Sequence, residues 1–220
     1  MKDRYSIIVG LFFLVVVVIA FMNSGDQGGS TLGLDDQPPH WPLPEFAVPV
    51  ATSDLEGDAN IAQDDCESSQ IPCPADARRT PACRVEDPRA IRVCDLFRNP
   101  SVISFWFTKG GGSCAEQQDV VSAAYERYRG RVSFLSLDVR DDRDTVRDLV
   151  SERDWQMPVG YDRDGAVASL YRVGGCPTVA YVFPGGTLQS ASAGKLTTEE
   201  LGARIDRLLG ASRKAAGEDR

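Results

Sequence analysis

The stretch SVISFWFTKGGGSCAEQQDVVSAAYERYRG, residues 101–130, joins an apolar run, a glycine-rich loop and an amphipathic segment. The run SVISFWF (101–107) has the length of a strand and predicts a central strand buried on both faces. Cys114 follows three glycines and a serine, where a helix should begin. The segment therefore predicts a strand–loop–helix unit with one thiol at the helix start. The predicted inner face of the helix comprises Gln117, Val121, Ala124, Tyr125 and Tyr128, and Gly130 is its C-cap.

The residues after this unit continue to alternate between strand and helix patterns. Thr197 and Glu200 form a capping box that should start the last helix. Such an order predicts an α/β domain with crossover connections. The predicted elements are a strand in 131–139, a helix in 142–155, a strand in 157–162, a short helix in 166–173, a hairpin in 177–194 and a helix from 197.

Charge and composition exclude several classes of function. The net charge of −8 argues against nucleic-acid binding, which requires a basic face. Six cysteines and one histidine favour thiol or disulfide chemistry over a histidine-built metal site. No P-loop, dinucleotide fingerprint or Ser-His-Asp set is present, so the sequence predicts no cofactor. His40 is interpreted as a linker residue, and Asp138, at the end of a strand, as a cap.

The N-terminus predicts a membrane anchor in residues 5–22. No residue is charged from Ile7 to Met22, which with Tyr5 and Ser6 approaches the minimum length that spans a bilayer. Basic residues precede this segment and none follows for forty residues, so residues 1–4 should be cytoplasmic and the remainder extracytoplasmic. A cleaved signal peptide is the alternative, although no small-residue cleavage site follows convincingly.

The remaining sequence divides into four parts. Residues 23–65 contain nine acidic residues and no Lys or Arg, with frequent Gly and Pro, which predicts a solvated linker. Docking of Trp41, Phe46 and Val48 on the domain is the alternative. Residues 66–100 form a cysteine-rich segment, 101–210 the folded domain and 211–220 a polar tail that should fray.

The cysteine-rich segment contains Cys66, Cys73, Cys83 and Cys94. Their spacing lacks the close pairs of a zinc site, so no metal is predicted. Two structural disulfides are the simplest interpretation outside the cell. Three connectivities are possible, and in one of them Cys73–Cys83 lies nested inside Cys66–Cys94.

The motifs SFWFT (104–108) with Cys114, and YRVGGCPT (171–178), resemble the thioredoxin superfamily. The resemblance is to its TlpA/ResA-like branch of membrane-anchored thiol-disulfide oxidoreductases and covers about residues 85–210. It implies a thioredoxin-like α/β fold, a central mixed sheet flanked by helices, behind the N-terminal transmembrane helix. It also implies a cis Pro177 beside the redox site, where a trans proline starting an edge strand is the alternative.

The sequence departs from the family pattern at two positions. The family has a CxxC motif after the Phe-Trp pair, whereas here the motif is GGSC, with Gly111 in place of the first cysteine. Many thioredoxins also carry a carboxylate before the Phe-Trp pair, where this chain has Ser104. A two-cysteine exchange cycle therefore cannot run within this loop alone.

Cys176 is the second candidate thiol. By resemblance it faces the redox loop, because it immediately precedes Pro177. We expect it to approach Cys114, as a structural staple or as a redox-active bridge. Its position at a helix start favours the thiolate form of Cys114. The positive charge of Lys109 would stabilise that thiolate further, whereas the negative charge of Glu116 would destabilise it. The residues predicted to shape the substrate groove are Trp106, Gly112, Ser113 and Pro177.

Three functions remain open. The first is a membrane-tethered extracytoplasmic thiol-disulfide oxidoreductase that uses Cys114 and Cys176, with protein thiols or a redox partner protein as substrate. The second is a non-catalytic thioredoxin-like binding module of the cell envelope. The third is a single-cysteine peroxidase resembling peroxiredoxins, although Gly111 stands where those sites carry Thr or Ser. Since thioredoxin folds host all three, the site must decide.

Overall fold

The sheet that organises the chain has five strands in the order β5-β4-β3-β6-β7. We describe the protein from a computed structural model, which covers residues 33–55, 80–109 and 113–217, with Ser113 by its backbone alone. The strands are β1 (Ala47–Pro49), β2 (Ala90–Arg92), β3 (Ser101–Trp106), β4 (Ser133–Val139), β5 (Val159–Asp162), β6 (Thr178–Phe183) and β7 (Thr187–Ala193). The helices are α1 (Val93–Leu96), α2 (Ser113–Tyr128), α3 (Arg143–Glu152), α4 (Ala166–Leu170) and α5 (Thr198–Ala216).

The sheet is mixed, as predicted. Strands β3, β4 and β5 are parallel, whereas β6 runs antiparallel to β3 and pairs with β7 in a hairpin. Every residue of β3 is buried, which explains its continuous apolar sequence. Gly185 and Gly186 form the hairpin turn with φ values of 89° and 80°, a backbone conformation that residues other than glycine rarely adopt.

Helices α2, α3 and α5 cover one face of the sheet. Residues Val121, Val146, Leu201 and Ile205 are fully buried there. The capping box predicted for Thr197 and Glu200 is present at the start of α5. The predicted fraying of residues 211–220 is wrong for residues 211–216, because α5 continues through Ala216 to a left-handed Gly217.

A strap of residues 33–55 covers the other face, together with α1 and α4. Leu34, Phe46 and Val48 are at most 1% exposed in this second core. Strand β1 of the strap pairs with β2, and the Tyr171 hydroxyl donates to the carbonyl of Pro44 at 2.9 Å. The solvated linker predicted for 23–65 is therefore wrong over 33–55, where the docked alternative holds. The folded domain begins before residue 101.

The predicted membrane anchor, residues 5–22, lies outside the described residues. In the part of the chain that the structure covers, no helix is both long and apolar enough to cross a membrane. His40, assigned to the linker, stacks on Phe183 with ring centroids 5.2 Å apart. It therefore belongs to the strap.

Candidate redox site

Cys114 and Cys176 form a disulfide that joins the start of α2 to the loop before β6. Their sulfurs are 2.04 Å apart and their Cα atoms 5.8 Å apart, although 62 positions separate them in sequence. The peptide bond between Cys176 and Pro177 is cis, as the resemblance implies. The expected approach of the two cysteines is thus observed, and the pair spans two loops.

The two cysteines differ in their exposure to solvent. Cys114, in the first turn of α2, is 4% exposed and packs in the core, whereas Cys176 is half-buried. The Cys176 sulfur lies 3.8 Å from the carbonyl oxygen of Phe107. An incoming thiol therefore reaches Cys176 more readily than Cys114.

A buried chain of hydrogen bonds supports the site from below. The indole of Trp106 donates to Ser136 Oγ at 2.8 Å, Ser136 donates to Gln118 Oε1 at 2.9 Å, and Gln118 Nε2 donates to Ser104 Oγ at 3.0 Å. This chain links β3, β4 and α2 without any charged group. Ser104, where many thioredoxins have a carboxylate, is thus a neutral part of the framework.

Asp138 carries a buried carboxyl group, and its interpretation as a cap is wrong. It pairs in register with Trp106 across β3 and β4 and is fully buried. Neither of its oxygens has a hydrogen-bond partner among the described residues. Burial raises the pKa of Asp138 to about 9, and the neighbouring Asp141 adds to the shift. It is no cap, since Asp142 caps α3 by accepting from the amide of Asp144.

Asp141 fixes the beginning of the glycine-rich loop. Its carboxylate accepts the backbone amide of Thr108 at 2.5 Å and that of Lys109 at 3.3 Å. Gly111 and Gly112 lie outside the described residues, so their predicted roles and that of the Ser113 side chain stay predictions. A buried carboxylate thus holds Thr108 and Lys109, the last two described residues before the glycines.

Trp106 and Pro177, predicted to line a substrate groove, are both buried. The ring of Trp106 meets that of Trp155 edge-on, with centroids 5.4 Å apart. Trp106 belongs to the same core cluster as both cysteines and lines a pocket beside Cys176, whereas Pro177 does not line it. Their role towards a substrate remains a proposal.

An open pocket of about 360 Å³ lies beside Cys176. Its walls come from the ends of β3 and β4, from α4 and from the residues before Pro177. Sequence inspection did not foresee it, because its two basic residues belong to different strand ends. Among the residues lining it are Phe107, Lys109, Val139, Arg140, Ala168 and Val173.

Comparisons with known proteins agree with this architecture. A curated relative, the thiol-disulfide oxidoreductase ResA of Oceanobacillus iheyensis, is 25% identical over 116 residues, which are 52% of this chain and 60% of ResA. The chain is thioredoxin-like and resembles oxidoreductases of the TlpA/ResA type. The match thus spans less than two thirds of the relative's length, and no family model matches the chain.

Solved structures show the same fold at lower identity. A thiol:disulfide interchange protein of the thioredoxin family from Chlorobium tepidum has a TM-score of 0.53 at 14% identity and covers 79% of this chain and 99% of that one. Mycobacterium tuberculosis DsbF has a TM-score of 0.50 at 22% identity, covering 54% of this chain and 87% of DsbF. These similarities establish the thioredoxin-like fold of the chain.

A second disulfide, Cys83–Cys94, lies in the cysteine-rich segment of this thioredoxin-like protein, with Cα atoms 5.7 Å apart. The nested pairing considered above is therefore wrong, since it joins Cys83 to Cys73. Cys66 and Cys73 lie outside the described residues. Glu45 lies within 4.8 Å of both bonded sulfurs, which offer no thiolate to a metal.

Proposed function

We propose that this protein is a membrane-tethered, extracytoplasmic thiol-disulfide oxidoreductase that acts on protein thiols through Cys114 and Cys176. The observation that supports it best is the unequal exposure of the two bonded cysteines. A bridge with one accessible sulfur can exchange with a partner thiol, whereas a bridge buried at both ends serves only as a staple. The relative named ResA is itself a thiol-disulfide oxidoreductase.

The proposed exchange begins at Cys176. A partner thiolate attacks the Cys176 sulfur, the Cys114–Cys176 bond breaks, and Cys114 leaves as a thiolate while Cys176 holds the partner in a mixed disulfide. A second partner thiolate then attacks the partner's sulfur, which releases the Cys176 thiolate. The partner loses two electrons to the protein and becomes a disulfide.

The start of α2 stabilises the leaving group. Cys114 is the second residue of this 16-residue helix, where free amide groups and the helix dipole favour a thiolate. The nearby carboxylate of Glu116 pairs with Lys195 at 3.1 Å, which reduces its opposing charge. The helix thus lowers the barrier to opening the bond.

The location is inferred from the sequence of residues 1–22. Their uncharged run, preceded by Lys2 and Arg4, supports an anchor with a cytoplasmic N-terminus. The Cys83–Cys94 disulfide is consistent with an oxidising compartment. Protein thiols outside the membrane are accordingly the proposed substrates.

Alkylation combined with mass mapping tests the proposal. Mild dithiothreitol should open Cys114–Cys176. In Cys114→Ser the Cys176 thiolate should attack the disulfide form of the partner, the product of the proposed exchange, and hold it as a mixed disulfide while the partner's other sulfur leaves as a thiolate. Cys176→Ser should leave a buried Cys114 thiol that is alkylated at least about tenfold more slowly than the Cys176 thiol of the other variant. A bond that resists mild reductant, or partner capture that survives in the double serine variant, would instead support the binding module. Peroxide consumption by Cys114 alone would support the peroxidase.

A further inference from the structure

The exchange cycle needs a second reactant that restores the protein after each turnover. We propose that the pocket beside Cys176 binds a small carboxylate-bearing thiol and its disulfide: the small disulfide restores the Cys114–Cys176 bond after protein thiols have opened it, and the small thiol runs the same exchange in reverse. This inference rests on the proposed function and names one of its two substrates. Protein thiols would be the other.

The charges that line the pocket are of one sign. Lys109 and Arg140 line it, and none of its other described lining residues is charged. Neither cation forms an ion pair with any other residue that the structure describes. Two cations without a salt bridge on the wall of one pocket favour an anionic ligand.

The hydrogen bonds of the two cations hold them at the pocket. The Lys109 ammonium donates to the carbonyl of Arg140 at 3.0 Å, and Arg140 Nε donates to the carbonyl of Asp164 at 2.7 Å. The Arg140 side chain lies across Gly165, where a Cβ would come within 2.6 Å of its Nε. The terminal guanidinium nitrogens have no partner in the described part of the chain. They are free to bind a carboxylate.

The neighbouring carboxylates accept hydrogen bonds from backbone amides and form no salt bridge with either cation, although the charge of Arg140 acts on Asp162. Asp141 accepts from Thr108 and Lys109, as described above. Asp162 accepts the amides of Val167 at 3.2 Å and Ala168 at 2.8 Å. The side chain of Asp164 accepts the amide of Ala166 at 3.0 Å.

The volume and walls of the pocket suit a small organic thiol. A volume of about 360 Å³ lies at the lower end of the range for small-molecule sites. Phe107, Val139 and Val173 provide apolar walls for the carbon part of the ligand. If the carboxylate binds the two cations, the other end of the molecule, which carries the sulfur, would point towards Cys176.

The pocket also determines which sulfur is attacked. Cys176 lines it and Cys114 does not. One small thiolate attacks the Cys176 sulfur and displaces the Cys114 thiolate, and a second attacks the bound sulfur and displaces the Cys176 thiolate. Two small thiols thereby become one small disulfide, and the protein disulfide becomes two thiols. The reverse reaction reoxidises the protein at the expense of the small disulfide.

The test measures the rate at which three thiols open Cys114–Cys176 in the purified protein. The probes are mercaptoacetate, 2-mercaptoethanol and cysteamine, which carry a negative, zero and positive charge, and each rate is expressed per thiolate. The rate with mercaptoacetate divided by the rate with cysteamine should fall about tenfold in the Lys109→Gln, Arg140→Gln double variant. Comparing ratios between proteins cancels the intrinsic reactivity of each thiol.

A matched charge control is Arg129→Gln, which removes an exposed arginine near the other end of α2. It should leave the ratio unchanged. Should the double variant not fold, salt provides the second measurement. In the unmodified protein, 1 M salt should lower the rate at which mercaptoacetate opens the bond and raise the rate with cysteamine.

The outcomes separate the two proposals. Opening by all three thiols with the same ratio in every variant and at every salt concentration would overturn the pocket assignment and leave the exchange function intact. Failure of all three thiols and of dithiothreitol to open the bond would overturn the proposed function itself.

Discussion

At the scale of single residues, Asp138 is the group whose chemistry its environment changes most. Burial holds its pKa at about 9 in the folded protein, against an ordinary value near 4 when unfolded. Between these pH values the unfolded chain has lost a proton that the folded protein retains. Stability from this residue is therefore fully present at low pH and declines as pH rises towards 9.

Replacement of Asp138 by Asn should remove this dependence. Urea unfolding measured between pH 5 and 8 gives the free energy of unfolding at each pH. With each pH unit, this free energy should fall by up to about 1.4 kcal/mol more in the unmodified protein than in Asp138→Asn. Asp162, whose pKa burial raises to about 6, contributes a decline of the same sign in both proteins up to about that pH. Asp148→Asn, at an exposed position on α3, is the control. Equal pH slopes in all three proteins would contradict a protonated Asp138.

At the scale of elements, the strap shows where sequence patterns stop being informative. Residues 33–55 have neither helical nor strand periodicity, and their acidic, proline-rich composition is that of a spacer. Yet Phe46 and Val48 are fully buried, because an extended segment can lay isolated apolar side chains on a sheet face. By contrast, β3, α2 and α5 were predictable, since a continuous apolar run, a helical face and a capping box are local signals.

The strap should be necessary for stability. Phe46→Ala should lower the free energy of unfolding by about 3–5 kcal/mol, because it empties a fully buried site in the second core. Glu45→Ala, at the adjacent exposed position, should change it far less. Urea unfolding measures both. A spacer that merely touches the sheet would give two similar, small values.

The capping box of α5 provides a second test at this scale. Thr197 accepts the amide of Glu200 at 3.2 Å, and the Glu200 carboxylate accepts the amide of Thr197 at 2.8 Å. Thr197→Ala should therefore cost about 1 kcal/mol of folding stability. Thr198→Ala, one residue into the helix, should cost less, and thermal unfolding compares the two. The reverse order would mean that α5 starts elsewhere.

At the scale of the whole molecule, the disulfides connect parts of the chain that are far apart in sequence. The Cys114–Cys176 pair was anticipated only by resemblance to a family, since nothing local relates positions 62 apart. The pocket was not anticipated at all. Lys109 and Arg140 meet there because β3 and β4 are parallel and end at the same edge of the sheet.

Loop length predicts how the two disulfides differ in their effect on stability. In the chain-entropy account, the 62-residue separation should make Cys114–Cys176 worth about 4 kcal/mol and the 11-residue separation should make Cys83–Cys94 worth about 3 kcal/mol. Urea unfolding of the two double serine variants tests this order. A smaller loss for Cys114→Ser, Cys176→Ser would show that the unbonded site relaxes or that the unfolded chain is already compact.

The docked strap also limits how far the proposed enzyme can reach. With residues 5–22 in the bilayer, as proposed, only residues 23–32 separate the membrane from the first described residue of the strap. Ten residues extend to at most about 36 Å in any conformation. A free linker of 23–65 would have allowed several times that distance. Protein substrates would therefore have to present their thiols close to the membrane surface, and lengthening residues 23–32 should extend the range of partners that Cys176 can capture.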